Sequence, residues 1–533
     1  MSVETSAVPA APPSAWAPLR VAAFRSLWLA LLASNIGTWM QTVGAQWLLV
    51  EESGTDTLVA VVQTAGTLPI VLLALPAGAL ADLFDRRRLL IAVQVFLTGI
   101  GALLTTLTLT GDMPPTLLLT LTFALGAGQA VTAPAWQSVI PELVPRPQLA
   151  SASALGAISM NLARAVGPAI AGVLIARTGT GVVFALNTLS FAVFALVLWR
   201  WRPASSSASG APERFAAAVR SGGRYVRHSP VVRRILLRAG LFLVPGSALW
   251  ALLPLVASRG LGLGSGGYGV LLGAVGTGAV AGAVLLPRLR ARWSLNRLLL
   301  VASLLFAGIL AVLATGRSTV TVVVALLPAG VAWVMVLSSV NAAMQLFLPN
   351  WVRARGLAVY QIVFAGTQAV GALVWGVLSD VWGLTAAHLV AVALMLAGAV
   401  TLRWWPLRDT SGLDRDPAVF WPEPHLELDP DDHDGPVVVV ASYPVSADRE
   451  EAFTEAMQGV RRSRLRTGAI RWGLFHDGER AGRIVEVYVV PSWDEHLRQH
   501  TGRLTGADRD IEERALALAD GPAEVSHLLS VRR

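Results

Sequence analysis

The chain has 533 residues, 54% of them hydrophobic and 14% charged, with a formal net charge of +8. A soluble domain carries about 25% charged residues, so a mean hydropathy of +0.59 excludes a protein held wholly in water. Cysteine is absent, which excludes disulfides, thiolate metal sites and thiol catalysis. All 42 Lys+Arg positions are arginine. They fall between apolar runs, so they read as positive flanks at a membrane and not as a nucleic-acid surface.

Residues 1–20 read as a disordered cytoplasmic tail; no basic segment precedes an apolar run, so this is not a cleavable signal. A membrane-crossing helix needs about 20 mainly apolar residues. Twelve such runs are predicted, near 24–50, 57–81, 89–110, 115–139, 151–176, 181–200, 233–257, 266–287, 297–315, 319–344, 355–379 and 384–405. Six fall in 21–200 and six in 233–408, separated by a loop at 201–232 whose first part, 203–212, reads as flexible. Arginines crowd the loops on one side, with Arg86, Arg87, Arg88, Arg146, a dense set from Arg200 to Arg234, and Arg288, Arg290 and Arg292. The other side has Arg177, Arg259 and Arg317 among acids such as Glu51, Glu52 and Asp56. The positive-inside rule then places both termini in the cytoplasm of a multi-pass plasma-membrane protein.

An internal repeat accompanies the six-and-six division. Val166-Gly167-x4-Gly172-Val173-Leu174-x4-Gly179 recurs as Val370-Gly371-x4-Gly376-Val377-Leu378-x4-Gly383, six runs later. After a Pro- and Asp-rich linker at 409–435, residues 436–533 read as strand, helix, strand, strand, helix, strand. That order predicts a small cytoplasmic ferredoxin-like α+β domain.

Gly78-Ala-Leu-Ala-Asp82-Leu-Phe-Asp85-Arg86-Arg87-Arg88-Leu-Leu90 lies between the second and third runs. It resembles the signature of the major facilitator superfamily, Gly-x-Leu-Ala-Asp-x-x-Gly-Arg-(Arg/Lys)-x-x-Leu, with Asp85 where the family often has Gly. The resemblance covers roughly 20–405 and implies the major facilitator fold, an all-α membrane protein of two six-helix halves. It implies that Gly78, Asp82, Asp85, Arg86 and Arg87 form a conformational gate of alternating access. Ala163-Arg164-Ala-Val-Gly167-Pro168-Ala-Ile-Ala171-Gly172 resembles the motif of drug and metabolite antiporters in this superfamily, through Gly167, Pro168 and Gly172. The soluble tail resembles that of bacterial facilitators grouped with the enterobactin exporter. Its shape is similar to the small dimeric domains of antibiotic-biosynthesis monooxygenases, which implies a homodimer or a ligand sensor before catalysis.

Arg164 is the most informative residue inside a span, because a central arginine costs about 2.5–3.5 kcal/mol to insert and needs a cavity or a partner. With Asn161, Asn35, Trp39, Gln41, Gln129, Asn341, Gln361 and Gln368 it forms the candidate substrate-binding set, suited to an anionic or phenolate-bearing small molecule. Interhelical hydrogen bonding is the alternative role for each single amide. No carboxylate falls mid-span, so proton antiport rests on the resemblance alone. In the tail, His496 and His500, joined by His476, read as solvated helix histidines, and Trp472, Trp493 and Phe475 as core. No metal, cofactor or catalytic residue is expected. The expected function is export of a siderophore, drug or secondary metabolite across the lipid bilayer. The alternatives are an exporter fused to a working enzyme or sensor, and an importer.

Overall fold

The computed structural model describes residues 16–531 except 53–54, 203–214, 411, 423–425, 429 and 432–433. The flexible stretch expected at 203–212 and most of the N-terminal tail therefore lie outside the described residues. The first six apolar runs form α1 (Ala22–Glu52), α2 (Asp56–Leu83), α3 (Arg86–Thr110), α4 (Pro115–Leu143), α5 (Leu149–Thr178) and α6 (Thr180–Arg200). A short basic helix, α7 (Phe215–His228), precedes α8 (Pro230–Leu255), α9 (Ser265–Arg292), α10 (Leu295–Thr315), α11 (Thr319–Phe347), α12 (Asn350–Trp382) and α13 (Leu384–Val400). By length and composition, eleven segments among the described residues could cross a membrane, not twelve. Helix α1 is outside that set although it has 31 residues; Ser34, Asn35, Gln41 and Gln46 dilute its apolar character.

The chain divides into two compact units. The first contains 1–210, 239–339 and 361–403, which is most of the long helices. Its internal repeat has a geometric meaning. An added methyl at Gly167 would lie 2.8 Å from Trp39 Cβ on α1, and at Gly371 it would strike Ser247 on α8. A methyl at Gly172 would lie 2.6 Å from Gly269 Cα on α9, and one at Gly376 2.7 Å from Ala60 Cβ on α2. Gly179 and Gly383 take φ of +83° and +84° between consecutive helices, a region open to glycine and strained for other residues. Gly167, Gly172, Gly371 and Gly376 thus permit close helix approach at equivalent places in the two halves.

The second unit contains 211–238, 340–360 and 404–533. Its domain has β1 (Val437–Pro444), α14 (Glu450–Thr467), β2 (Arg471–His476), β3 (Arg483–Val490), α15 (Trp493–Arg498), α16 (Gly506–Leu516) and β4 (Glu524–Leu529). The strands form one antiparallel sheet in the order β2-β3-β1-β4. Strand β1 alternates buried and half-buried residues, the period-2 pattern of a sheet with one covered face. Phe453, Met457 and Val460 of α14 pack on Ala441, Tyr443 and Ile484. Of the expected aromatic core, Trp493 is buried and Trp472 packs partly buried, whereas Phe475 is exposed because the outer strand β2 leaves it uncovered. Ser492 caps α15 through Glu495 N–H at 3.3 Å. The full capping box falls at Thr505 and Asp508, at the start of α16.

The linker is tied down where it is described. Ala418 N–H donates to Leu504 O at 3.0 Å, and Trp421 Nε1 donates to Glu512 at 3.0 Å.

Candidate functional site

Of the candidate binding residues, Arg164 and Trp39 come together. The guanidinium lies 5.2 Å from the Trp39 ring centroid, a cation–π geometry, and Arg164 Nε is buried without a hydrogen-bond partner. Trp39 in turn lies 6.2 Å from Trp250 of α8, and Trp250 lies 5.3 Å from Trp333 of α11. The indole N–H groups of Trp250 and Trp333 are also buried and unpartnered. An arginine and three tryptophans, drawn from both halves, therefore hold three unused donors. Buried donors of this kind are expensive to leave unpaired, and they suit an acceptor-rich, flat ligand. Neither Trp250 nor Trp333 was singled out from the sequence; a tryptophan inside an apolar run was the signal.

Most of the amides have protein partners. Asn35 Nδ2 donates to Ser159 Oγ at 3.0 Å. Gln41 Oε1 accepts from Asn187 Nδ2 at 2.5 Å, and Gln129 Nε2 donates to Thr38 Oγ1 at 3.2 Å. Asn341 Oδ1 accepts from Gln345 Nε2 at 3.0 Å. Asn161 and Gln361 lie on exposed faces. Gln368 is buried with Oε1 unpartnered. Gln46 joins the halves, accepting from the Tyr268 hydroxyl at 2.7 Å.

The gate motif is resolved through its arginines. Gly78 and Asp82 lie in α2, but the Asp82 side chain is outside the described residues. Asp85 caps α3, accepting from Arg88 N–H at 2.7 Å. Arg86 donates to Glu142 Oε1 at 2.9 Å and to the Ser138 carbonyl at 3.0 Å. Arg87 reaches the carbonyls of Leu198 and Trp199 at 2.9 and 2.5 Å. A guanidinium on the last carbonyls of α6 meets both orphan acceptors and the negative end of the helix dipole.

At the opposite end of α2 a second charged cluster joins the halves. Asp380, near the end of α12, accepts from Asp56 N–H at 2.7 Å and Thr57 N–H at 3.0 Å. Its other partner is the Thr57 hydroxyl. Asp56 is ion-paired with Arg259 and accepts from Ser379 Oγ at 2.6 Å. From the sequence these acids were only helix-end residues. Yet Gly376-Val-Leu-Ser-Asp380 has the pattern of Gly78-Ala-Leu-Ala-Asp82.

Within the second unit, the domain packs on α7 and on the helix ends at 340–360. Tyr225 stands edge-on to Trp351 at 5.7 Å. Arg503 covers Trp351 at 4.8 Å and pairs with Glu495 through two contacts of 2.5 and 3.1 Å. Arg224 adds a third at 3.3 Å. Burial raises the Tyr225 hydroxyl to about 12.

The histidines differ from their expected role. His476 is exposed and pairs with Glu450, but His496 is fully buried. Its neighbours are His500, with ring centroids 4.7 Å apart, and His527 of β4, at 4.9 Å. Burial, then crowding by the other imidazoles, lowers His496 to about 3 and His500 to about 4. These are not solvated helix histidines, because His496 on α15 and His500 in the turn that follows are drawn in beside His527 of the sheet.

A bundle of long apolar helices in two repeated halves, with charged clusters at both ends of one helix and a cationic aromatic centre, defines a membrane transporter. The chain belongs to the transmembrane secretion effector family of the major facilitator superfamily, whose description matches residues 13–533. It is 23% identical over 283 residues to a staphyloferrin A transporter of Staphylococcus aureus, covering 51% of this chain and 68% of that protein. It is 25% identical over 405 residues to the multidrug efflux pump Tap of Mycolicibacterium fortuitum, covering 70% and 93%. Among solved structures, it is similar to a bacterial homolog of the human lysosomal transporter Spinster in an inward-facing, occupied conformation. The TM-score is 0.59 at 16% identity, covering 73% of this chain and 97% of that one.

Proposed function

We propose that the chain exports an anionic or phenolate-bearing small molecule, of the siderophore, drug or secondary-metabolite class, across the plasma membrane. Export proceeds by alternating access with proton antiport. The observation that carries this reading is Arg164 stacked on Trp39 beside Trp250 and Trp333, with unpaired donors where the two halves meet. Two relatives named for siderophore transport and multidrug efflux support the cargo class. Helix α1 is the twelfth span on this reading. The arginine distribution supports cytoplasmic termini, with the Arg86 end of α2 inside and the Asp56 end outside. The tail is a cytoplasmic ferredoxin-like domain, a reading supported by its sheet order β2-β3-β1-β4.

Inverted membrane vesicles containing the protein test this. Uptake of an anionic catecholate or hydroxycarboxylate siderophore that rises with an imposed inward-acid gradient is the expected result. Uptake indifferent to the gradient overturns the antiport, and no uptake relative to empty vesicles overturns export of that class.

A further inference from the structure

The tail domain brings three imidazoles to one point from distant parts of the sequence. His496 lies on α15, His500 one turn later, and His527 on the edge strand β4, opposite Val439 in register. One nitrogen of each lies within 4.8 Å of the others. His496 is fully buried and the other two are half-buried.

The hydrogen bonds around these rings set where their lone pairs lie. Gln499 Nε2 donates to Thr467 Oγ1 at 3.1 Å, whose own proton goes to the Ser463 carbonyl at 2.9 Å. The amide oxygen of Gln499 therefore faces His496 Nδ1, at 3.4 Å, as an acceptor. A neutral His496 then keeps its proton on Nδ1 and a bare lone pair on Nε2. That Nε2 lies 3.2 Å from His500 Nε2. Two nitrogens held by one tetrahedral ion at about 2.0–2.1 Å lie about 3.3 Å apart, so this spacing already fits one edge of a metal site. His500 Nδ1 is buried without a hydrogen-bond partner. Arg464, the cation acting on both rings, is held by Glu486 and Glu512.

We propose that His496, His500 and His527 form a three-imidazole site for a divalent first-row transition-metal ion of the zinc, copper or nickel class, with a fourth position open to water. An all-imidazole set favours these ions over magnesium or calcium. The ion joins the edge strand β4 to the α15 turn. This site is independent of the transported cargo and of the export reading.

Untagged full-length protein in detergent, stripped with a chelator, is titrated with zinc and separately with cobalt as a spectroscopic probe. The expected result is one ion per chain, with a visible cobalt spectrum of nitrogen ligation. Both are lost in His500→Ala and His527→Ala and kept in His476→Ala. Zinc also slows amide exchange over 524–529 in the wild type and not in His500→Ala. If His527→Ala does not fold, His527→Gln at the same edge position is expected to show the same loss. Wild-type protein that binds no ion overturns the site. So do His500 and His527 variants that bind as much as wild type, which would leave the imidazoles as a hydrogen-bonded cluster only.

Discussion

The Arg164 guanidinium lies 5.2 Å from the Trp39 ring, joining α5 to α1 through a charge and a π face. A cation over an indole is worth about 0.5–2 kcal/mol, more when desolvated. Arg164→Ala removes both the stack and the charge. Initial rates of anionic siderophore uptake into inverted vesicles are expected to fall about tenfold or more, given about 1.4 kcal/mol per decade. Trp39→Phe keeps a π face and is expected to lose only a few-fold. Equal, unchanged rates in both variants would remove this pair from the binding site.

The Asp380 carboxylate holds the first amides of α2. Hydrogen bonds to a charged group are worth about 1.5–3 kcal/mol. Asp380→Ala should shift the population toward the state open at the Asp56 end. Because the chain has no cysteine, a single Ala60→Cys reports this without background. Its rate of thiol labelling from outside is expected to rise about tenfold or more in the Asp380→Ala variant. An unchanged rate would mean that the contact does not hold that end closed.

Gly172 faces Gly269 so closely that a methyl would lie 2.6 Å from its Cα. Gly172→Leu is expected to abolish transport while the protein still reaches the membrane, as checked by immunoblot and vesicle uptake. Transport at half the wild-type rate or better would show that α5 and α9 need not approach to this distance.

Asp508 supplies a pH dependence in the tail. Burial alone would raise its carboxyl, but Arg466, Ser463 and Thr505 reverse this and hold it below the usual range. A depressed carboxyl stabilises the fold above the unfolded pKa of about 3.9 and ceases to do so as pH falls through the folded value. Proteolytic release of the tail on heating should therefore separate wild type from Asp508→Asn at pH 7. The difference should correspond to about 1.5–3 kcal/mol and should shrink progressively as the pH falls below the unfolded pKa toward the depressed folded one. A difference that does not change with acidification would place the effect elsewhere.

Much of the fold was legible. Apolar runs of membrane length mark α2 to α6 and α8 to α13 to within a few residues. The tail's order of strand, helix, strand, strand, helix, strand was read from the sequence, and Ser492 marks the start of α15. Asp82 and the arginines gave the family through local spacing. The remainder depended on long-range contacts that spacing does not encode. His527 meets His496 only because β4 pairs with β1, and the sequence suggested His476 instead. Asp380 finds Asp56 across 324 residues. Asp85, which stands where the family motif often has Gly, caps α3. Several expected substrate amides are interhelical ties, since a buried amide takes whatever partner the neighbouring helix offers.

The matched glycines of α5 and α12 make equivalent contacts in the two halves. None of those contacts depends on which half is synthesised first. A rearranged chain carrying 233–408 ahead of 21–200 would present the same notches to the same neighbours. In this bundle the likeness of the two halves is kept in the places where side chains are absent.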